Sequence, residues 1–157
     1  MPIILGLGEM GTINGDEEEL KTFALGSCIG LVLYDRVNKI TGMVHIVLPD
    51  SNISPDRAKT DPGRFADTAI PALIKEMRTR GANGKLVAKL FGGALIYKAN
   101  DTYQVGKRNA LTVKKLLWKN RIPALAEEIG GSIGRTICTS TNGEVRVSTP
   151  AMEDRVL

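Results

Sequence analysis

Histidine occurs once in this 157-residue chain, as His45, and cysteine only twice, as Cys28 and Cys138. With so few soft ligands and no CxxC or Cys/His metal spacing, the sequence offers no zinc or cluster framework. No secretory context supports a disulfide, so both thiols read as free. Aromatic residues make up only 4% of the chain, and no nucleic-acid-binding motif accompanies them. Long apolar runs are missing as well. Met1 to Leu7 is apolar but is broken at Gly6, carries no basic leader and is too short for a secretory or membrane segment. A cytoplasmic location is therefore expected. Neither sign of charge dominates: 21 Lys and Arg against 17 Asp and Glu leave a net +4, which suits an acidic partner without demanding one.

What is present fits a folded core. A hydrophobic content of 43% over 157 residues leads us to expect a single domain spanning residues 1–157. Strand and helix signals alternate without a repeat or a low-complexity tract, which predicts an α/β (α+β) fold with a mixed sheet flanked by two main helices. Ile3 to Ile13 and Leu20 to Leu25 read as strands of a hairpin around Asn14-Gly15-Asp16. Cys28 to Tyr34 and Gly42 to Leu48 read as a second, buried hairpin that Pro49 stops. Asp61-Pro62 predicts the cap and first position of a helix carrying Phe65, Ala69, Ile70, Leu73, Ile74 and Met77. Lys85 to Phe91 reads as a strand. A second helix is expected from Asn109, with Val113, Leu116 and Leu117 inward and Trp118 packed at its edge, until Pro123 ends it. Ala124 to Ile129, Ile133 to Ser140 and Glu144 to Ser148 complete the strands, the last two joined at Asn142-Gly143.

The lone histidine lies in the same proposed hairpin as Cys28. If Arg36 to Lys39 form a four-residue loop, Asp35 pairs with Ile40 and Gly30 stands opposite His45. Cys28 is then one diagonal step away on the same face, with Cα atoms roughly 7 to 8 Å apart. A one-residue slip would send the two groups to opposite faces. The missing side chain at Gly30 leaves a gap across which the ring could lean. An imidazole beside a thiol takes its proton and generates the nucleophilic thiolate, and the Cys28 amide could hold an oxyanion. Taken alone, a cysteine in an apolar strand is more often a packing residue, and Cys138, with no titratable companion nearby in sequence, is read as one. From the residues alone, Asp35 and Asp50 are as plausible as any hydroxyl for orienting the ring.

Several motifs carry a resemblance. Leu20-Lys21-Thr22, Leu25-Gly26-Ser27-Cys28, Leu33-Tyr34-Asp35 and Gly42-Met43-Val44-His45 through Leu48-Pro49 resemble the chemoreceptor glutamine deamidase family, CheD. So do Lys89-Leu90-Phe91-Gly92-Gly93-Ala94, Gly106-Lys107-Arg108-Asn109, Gly130-Gly131 with Gly134-Arg135, and Thr141-Asn142-Gly143-Glu144-Val145. The resemblance implies a β-sandwich character related to the catalytic domain of cytotoxic necrotizing factor toxins, and a catalytic triad of Cys28, His45 and Thr22. It implies deamidation of glutamines on the helical cytoplasmic part of methyl-accepting chemotaxis receptors, with hydrolysis of glutamate methyl esters as a related activity. It further implies regulation by a CheC-type phosphatase and no need for a metal or organic cofactor. Phe23, Ser27 and the turn Phe91, Gly92, Gly93 are the expected contacts for receptor or partner. Two rival readings are a binding module without turnover and a nucleic-acid binder built on Lys107, Arg108, Lys114, Lys115, Lys119 and Arg121, whose helical lysines read more simply as a solvated face.

Overall fold

The computed structural model describes residues 1–96, 103–150 and 152–157. Its strands are β1 (Ile3–Ile4), β2 (Met10–Ile13), β3 (Glu19–Leu25), β4 (Ile29–Asp35), β5 (Ile40–Ile46), β6 (Leu86–Gly92), β7 (Ala124–Ile129), β8 (Arg135–Ser140), β9 (Val145–Ser148) and β10 (Arg155–Val156). Three α-helices accompany them: α1 (Pro55–Thr60), α2 (Ala66–Thr79) and α3 (Val105–Lys119). The strands form two five-stranded sheets, ordered β2-β5-β4-β6-β7 and β1-β3-β8-β9-β10. In the first sheet all neighbours are antiparallel except β6 and β7.

Alternation along the central hairpin explains the layering, because successive side chains on a strand point to opposite faces. Ile29, Leu31, Leu33, Val44 and Ile46 join Ala69, Ile70, Leu73, Val113 and Leu117 in a core beneath the two long helices. The interleaved Val32 and Met43, with Phe91, meet Leu20, Leu25, Ile137, Val145 and Val147 in a second core between the sheets. Both faces of β4 and β5 are thus covered, and β5 is buried at every position. Two layers of β-structure with helices on one outer face match the α+β expectation, with the short α1 as an addition.

The hairpin loop is built as its length requires. Asp35, fully buried, accepts hydrogen bonds from the backbone N–H groups of Val37 and Asn38, both at 3.0 Å, and from Gly84 N–H at 3.0 Å. That Asx turn fixes a four-residue connection. Asp35 therefore pairs with Ile40, and Gly30 stands opposite His45. The hairpin expected at Asn14-Gly15-Asp16 is a different matter. β2 pairs with β5 in one sheet while β3 pairs with β1 and β8 in the other, so that turn carries the chain from sheet to sheet.

The helix starts also differ from expectation. Pro62 opens a 3₁₀ turn, Pro62–Arg64, and α2 begins at Ala66 after an extended Phe65. α3 begins at Val105, one turn before Asn109. Trp118 is 84% exposed rather than packed, since its position falls off the Asn109, Val113, Leu117 stripe that faces the sheet. No helix among the described residues is long and apolar enough to cross a membrane.

Candidate active site

Cys28 sits just before β4 in the turn that follows β3. Its carbonyl accepts from Gly93 N–H at 2.9 Å, and the carbonyl of Gly26 accepts from Ala94 N–H at 2.8 Å. The tightness of this grip explains Gly92, whose φ is +108° and where a Cβ would come within 2.1 Å of the Cys28 carbonyl oxygen. Any other residue would push the turn away. The thiol is half-buried and free, and it packs against the intersheet core, on the side of β4 and β5 to which His45 also belongs.

His45 is 4% exposed and Thr22 fully buried. Thr22 arrives from the opposite sheet: a bulge between Thr22 and Leu25 interrupts the β3–β8 pairing, turning Phe23 and Ala24 outward while Thr22 stays inward. The Thr22 hydroxyl lies 2.8 Å from the carbonyl oxygen of Leu5 and 2.6 Å from Nδ1 of His45. A carbonyl only accepts, so the hydroxyl proton is committed to Leu5 and Nδ1–H of His45 must donate to Thr22. In the neutral ring this leaves the lone pair on Nε2, which has no protein partner among the described residues. The backbone is anchored as well, with Gly8 N–H donating to His45 O (2.8 Å) and His45 N–H to Glu9 O (3.1 Å).

Burial is the leading influence on the titration of both groups. Burial pushes the Cys28 thiol above its ordinary range, with the Arg64 guanidinium opposing that rise in part. Burial also lowers the His45 imidazole below its usual value. Both shifts favour the neutral forms, the direction opposite to a thiolate stabilised by its neighbour.

Other expectations resolve differently. The space over Gly30 is filled by Ile137 and Leu25, whose Cδ1 atoms would lie 2.6 and 2.9 Å from a Cβ there; the second sheet packs into the gap, and the ring reaches toward Thr22 instead. Of the carboxylates considered as orienters, Asp35 is held at the far end of the hairpin and Asp50 caps a 3₁₀ turn through Asn52 N–H. Phe23 is 50% exposed, with the Lys21 ammonium 4.9 Å above its ring, and Ser27 is half-buried. Phe91 is fully buried between the sheets, so its ring is not at the surface, while Gly92 and Gly93 hold Cys28. Cys138 is half-buried with Sγ 3.6 Å from a Glu19 carboxylate oxygen, so it has the titratable companion that sequence proximity did not show. A cavity of about 420 Å³ borders Gly93, Gln104, Lys107, Leu111 and Gly130, but Cys28, His45 and Thr22 do not line it.

Two residues near the site were given no role by the sequence reading. Arg64 was hidden in a segment read as helix start. Asn109 had a visible signal, an amide on the otherwise apolar stripe of α3, and it is fully buried.

A half-buried thiol and an imidazole held through one nitrogen, on the same side of one hairpin, are groups that nucleophilic acyl transfer can employ, which sets the chain among α+β proteins that carry a cysteine and a histidine on one face. A profile of the family described as CheD chemotactic sensory transduction matches residues 47–149. Relatives named "Probable chemoreceptor glutamine deamidase CheD" include one from Syntrophotalea carbinolica, 42% identical over 152 residues and 94% of each chain. Another from Clostridium kluyveri is 41% identical over 155 residues, 96% of this chain and 94% of its own. One from Caldanaerobacter subterraneus subsp. tengcongensis is 45% identical over 135 residues, 83% and 82% of the two chains. The chain belongs to the CheD family.

Proposed function

We propose that this chain is a protein-glutamine deamidase acting as a single unit on the cytoplasmic helical region of chemotaxis receptors, with Cys28 as nucleophile, His45 as base and Thr22 as its orienter. The observation that carries this is the ring of His45, fixed through Nδ1 with Nε2 free, on the face of the hairpin that holds Cys28. The names borne by relatives that align over nearly the whole chain supply the substrate class.

Nε2 takes the thiol proton as sulfur attacks the carboxamide carbon, and the Cys28 N–H holds the resulting oxyanion. The imidazolium then gives its proton to the departing nitrogen, the C–N bond breaks, and ammonia leaves a thioester. Water, deprotonated by Nε2, attacks that thioester; the C–S bond breaks, and the sulfur recovers its proton from the imidazolium. The products are glutamate and ammonium. A glutamate methyl ester enters the same cycle with methanol as leaving group. Phe23, exposed beside Thr22, and Ser27 are the surface that receptor meets, and a CheC-type phosphatase competes for it.

Incubation of a receptor cytoplasmic fragment with the protein should add about one mass unit per converted glutamine, read by peptide mass spectrometry. Cys28→Ala should abolish the gain. An undiminished gain would remove Cys28 from the reaction and favour a different nucleophile.

A further inference from the structure

The backbone ladder between β4 and β5 ends at the pair Ile29 and Ile46. Beyond it the two chains part, although they carry the two groups whose spacing matters most. Val47 N–H turns away to Arg64 O at 2.9 Å, and the Cys28 carbonyl turns to Gly93 N–H at 2.9 Å. What joins the chains there is a side chain. Nδ2 of Asn109 donates to Ser27 O at 2.9 Å and to Val47 O at 2.9 Å. Two carbonyls can be satisfied at once only by the NH₂ end of the amide, so chemistry fixes its orientation. Ser27 precedes the nucleophile directly, and Val47 follows His45 by two residues.

The amide comes from α3, and its depth is set by the first turn of that helix. A Cβ on Gly106 would lie 2.7 Å from the carbonyl oxygens of Gly93 and Ala94, so only glycine lets the helix settle against the turn that grips Cys28. The arrangement also leaves Oδ1 of Asn109 buried without a protein partner among the described residues. The amide thus bridges two carbonyls while its own buried acceptor goes unpartnered, a cost that an apolar side chain would not carry at that atom.

We propose that Asn109 is a positioning residue, bridging the segment that carries the thiol to the strand that carries the imidazole and setting the distance between them. It touches neither reactant; it acts through the two carbonyls. This rests on the reading of Cys28 and His45 as a working pair, and the test separates the two.

Alkylation of Cys28 by iodoacetamide at neutral pH, followed by peptide mapping to exclude Cys138, reads the pair without any receptor. His45→Ala should slow it. Asn109→Ala should slow it about tenfold or more when His45 is present and hardly at all in the His45→Ala background, because a spacing that no longer serves a base has nothing left to lose. Equal slowing in both backgrounds would mean that Asn109 merely supports the fold, and would overturn the proposal. If Asn109→Ala does not fold, Asn109→Ser, smaller and with one donor, takes its place with the same two-background comparison. On receptor fragment, kcat should fall about a hundredfold with KM changed less than about threefold. Should the native protein convert no glutamine at all, the deamidase reading fails while the alkylation comparison still decides the bridge.

Discussion

The two nitrogens of His45 divide the work, one tied to Thr22 and one free. Thr22→Val keeps the shape but removes the acceptor, leaving Nδ1–H unpartnered and the ring free to change tautomer. We expect kcat for deamidation to fall about 10- to 100-fold, whereas Thr22→Ser, which keeps the hydroxyl, should stay near the native rate. A loss in Thr22→Ser with none in Thr22→Val would show that the methyl group, not the oxygen, is what counts. The protonation states supply a second expectation. A base must be neutral to accept a proton, and burial holds His45 below its usual value, so the acid limb of kcat/KM should lie below about pH 6.5, activity disappearing as pH falls through it. The thiol is shifted the other way. Direct alkylation of Cys28 should keep rising above about pH 8.5, where an ordinary thiol has reached its midpoint. Arg64 opposes that shift, and Arg64→Ala should move the alkylation midpoint further up; a midpoint that moves down or stays would show that the guanidinium is screened from the sulfur.

The hairpin β4–β5 places those groups, and its register is set at the opposite end, by Asp35. Burial pushes that carboxyl up, but hydrogen bonds from Asn38, Gly84 and Val37 outweigh it and hold the group below its usual value. A carboxylate depressed in the folded state stabilises above its unfolded pKa of about 3.9, and that contribution is lost as pH falls through the lower, folded value. Asp35→Ala should cost about 2 to 3 kcal/mol at neutral pH, because buried N–H donors lose their acceptor. Urea midpoints that converge for native and variant protein as pH falls below about 3.9 would carry the same sign. This hairpin was legible in the sequence because local rules agree there: alternation, loop length and Pro49 all support one register. The Asn14-Gly15-Asp16 turn was misread because turn chemistry is the same whether the next strand returns beside the last or crosses to another sheet. Asp61-Pro62 misled for a similar reason, since proline with a preceding aspartate opens a 3₁₀ turn as readily as an α-helix. Val105 and Gly106, both weak helix formers, concealed the first turn of α3.

The site lies between sheets, and that is why part of it could not be read along the chain. Cys28 and His45 share a hairpin and were within reach of local reasoning. Thr22 meets His45 across the two sheets, from a strand whose partner β8 lies at least 110 residues away, an arrangement that depends on tertiary packing. For residue 22 the resemblance to relatives therefore carried information that spacing did not. The distance between the sheets becomes a determinant of the site, and Gly30 is one place where they pack closely, since Ile137 and Leu25 press into the place of its missing side chain. Alanine there would meet only the ends of two flexible side chains, which can rotate aside. A valine is larger and branched, and it must wedge the sheets apart. We expect Gly30→Val to cost about 1 to 3 kcal/mol of stability. Its kcat, measured at a temperature where the variant is still folded, should fall well beyond what that loss explains, because Thr22 moves with its sheet while His45 stays with the other. Gly30→Ala should keep most of both. A Gly30→Val protein that melts earlier yet turns over receptor at the native rate would show that the Thr22–His45 link tolerates sheet movement, and that the close packing over Gly30 serves stability alone.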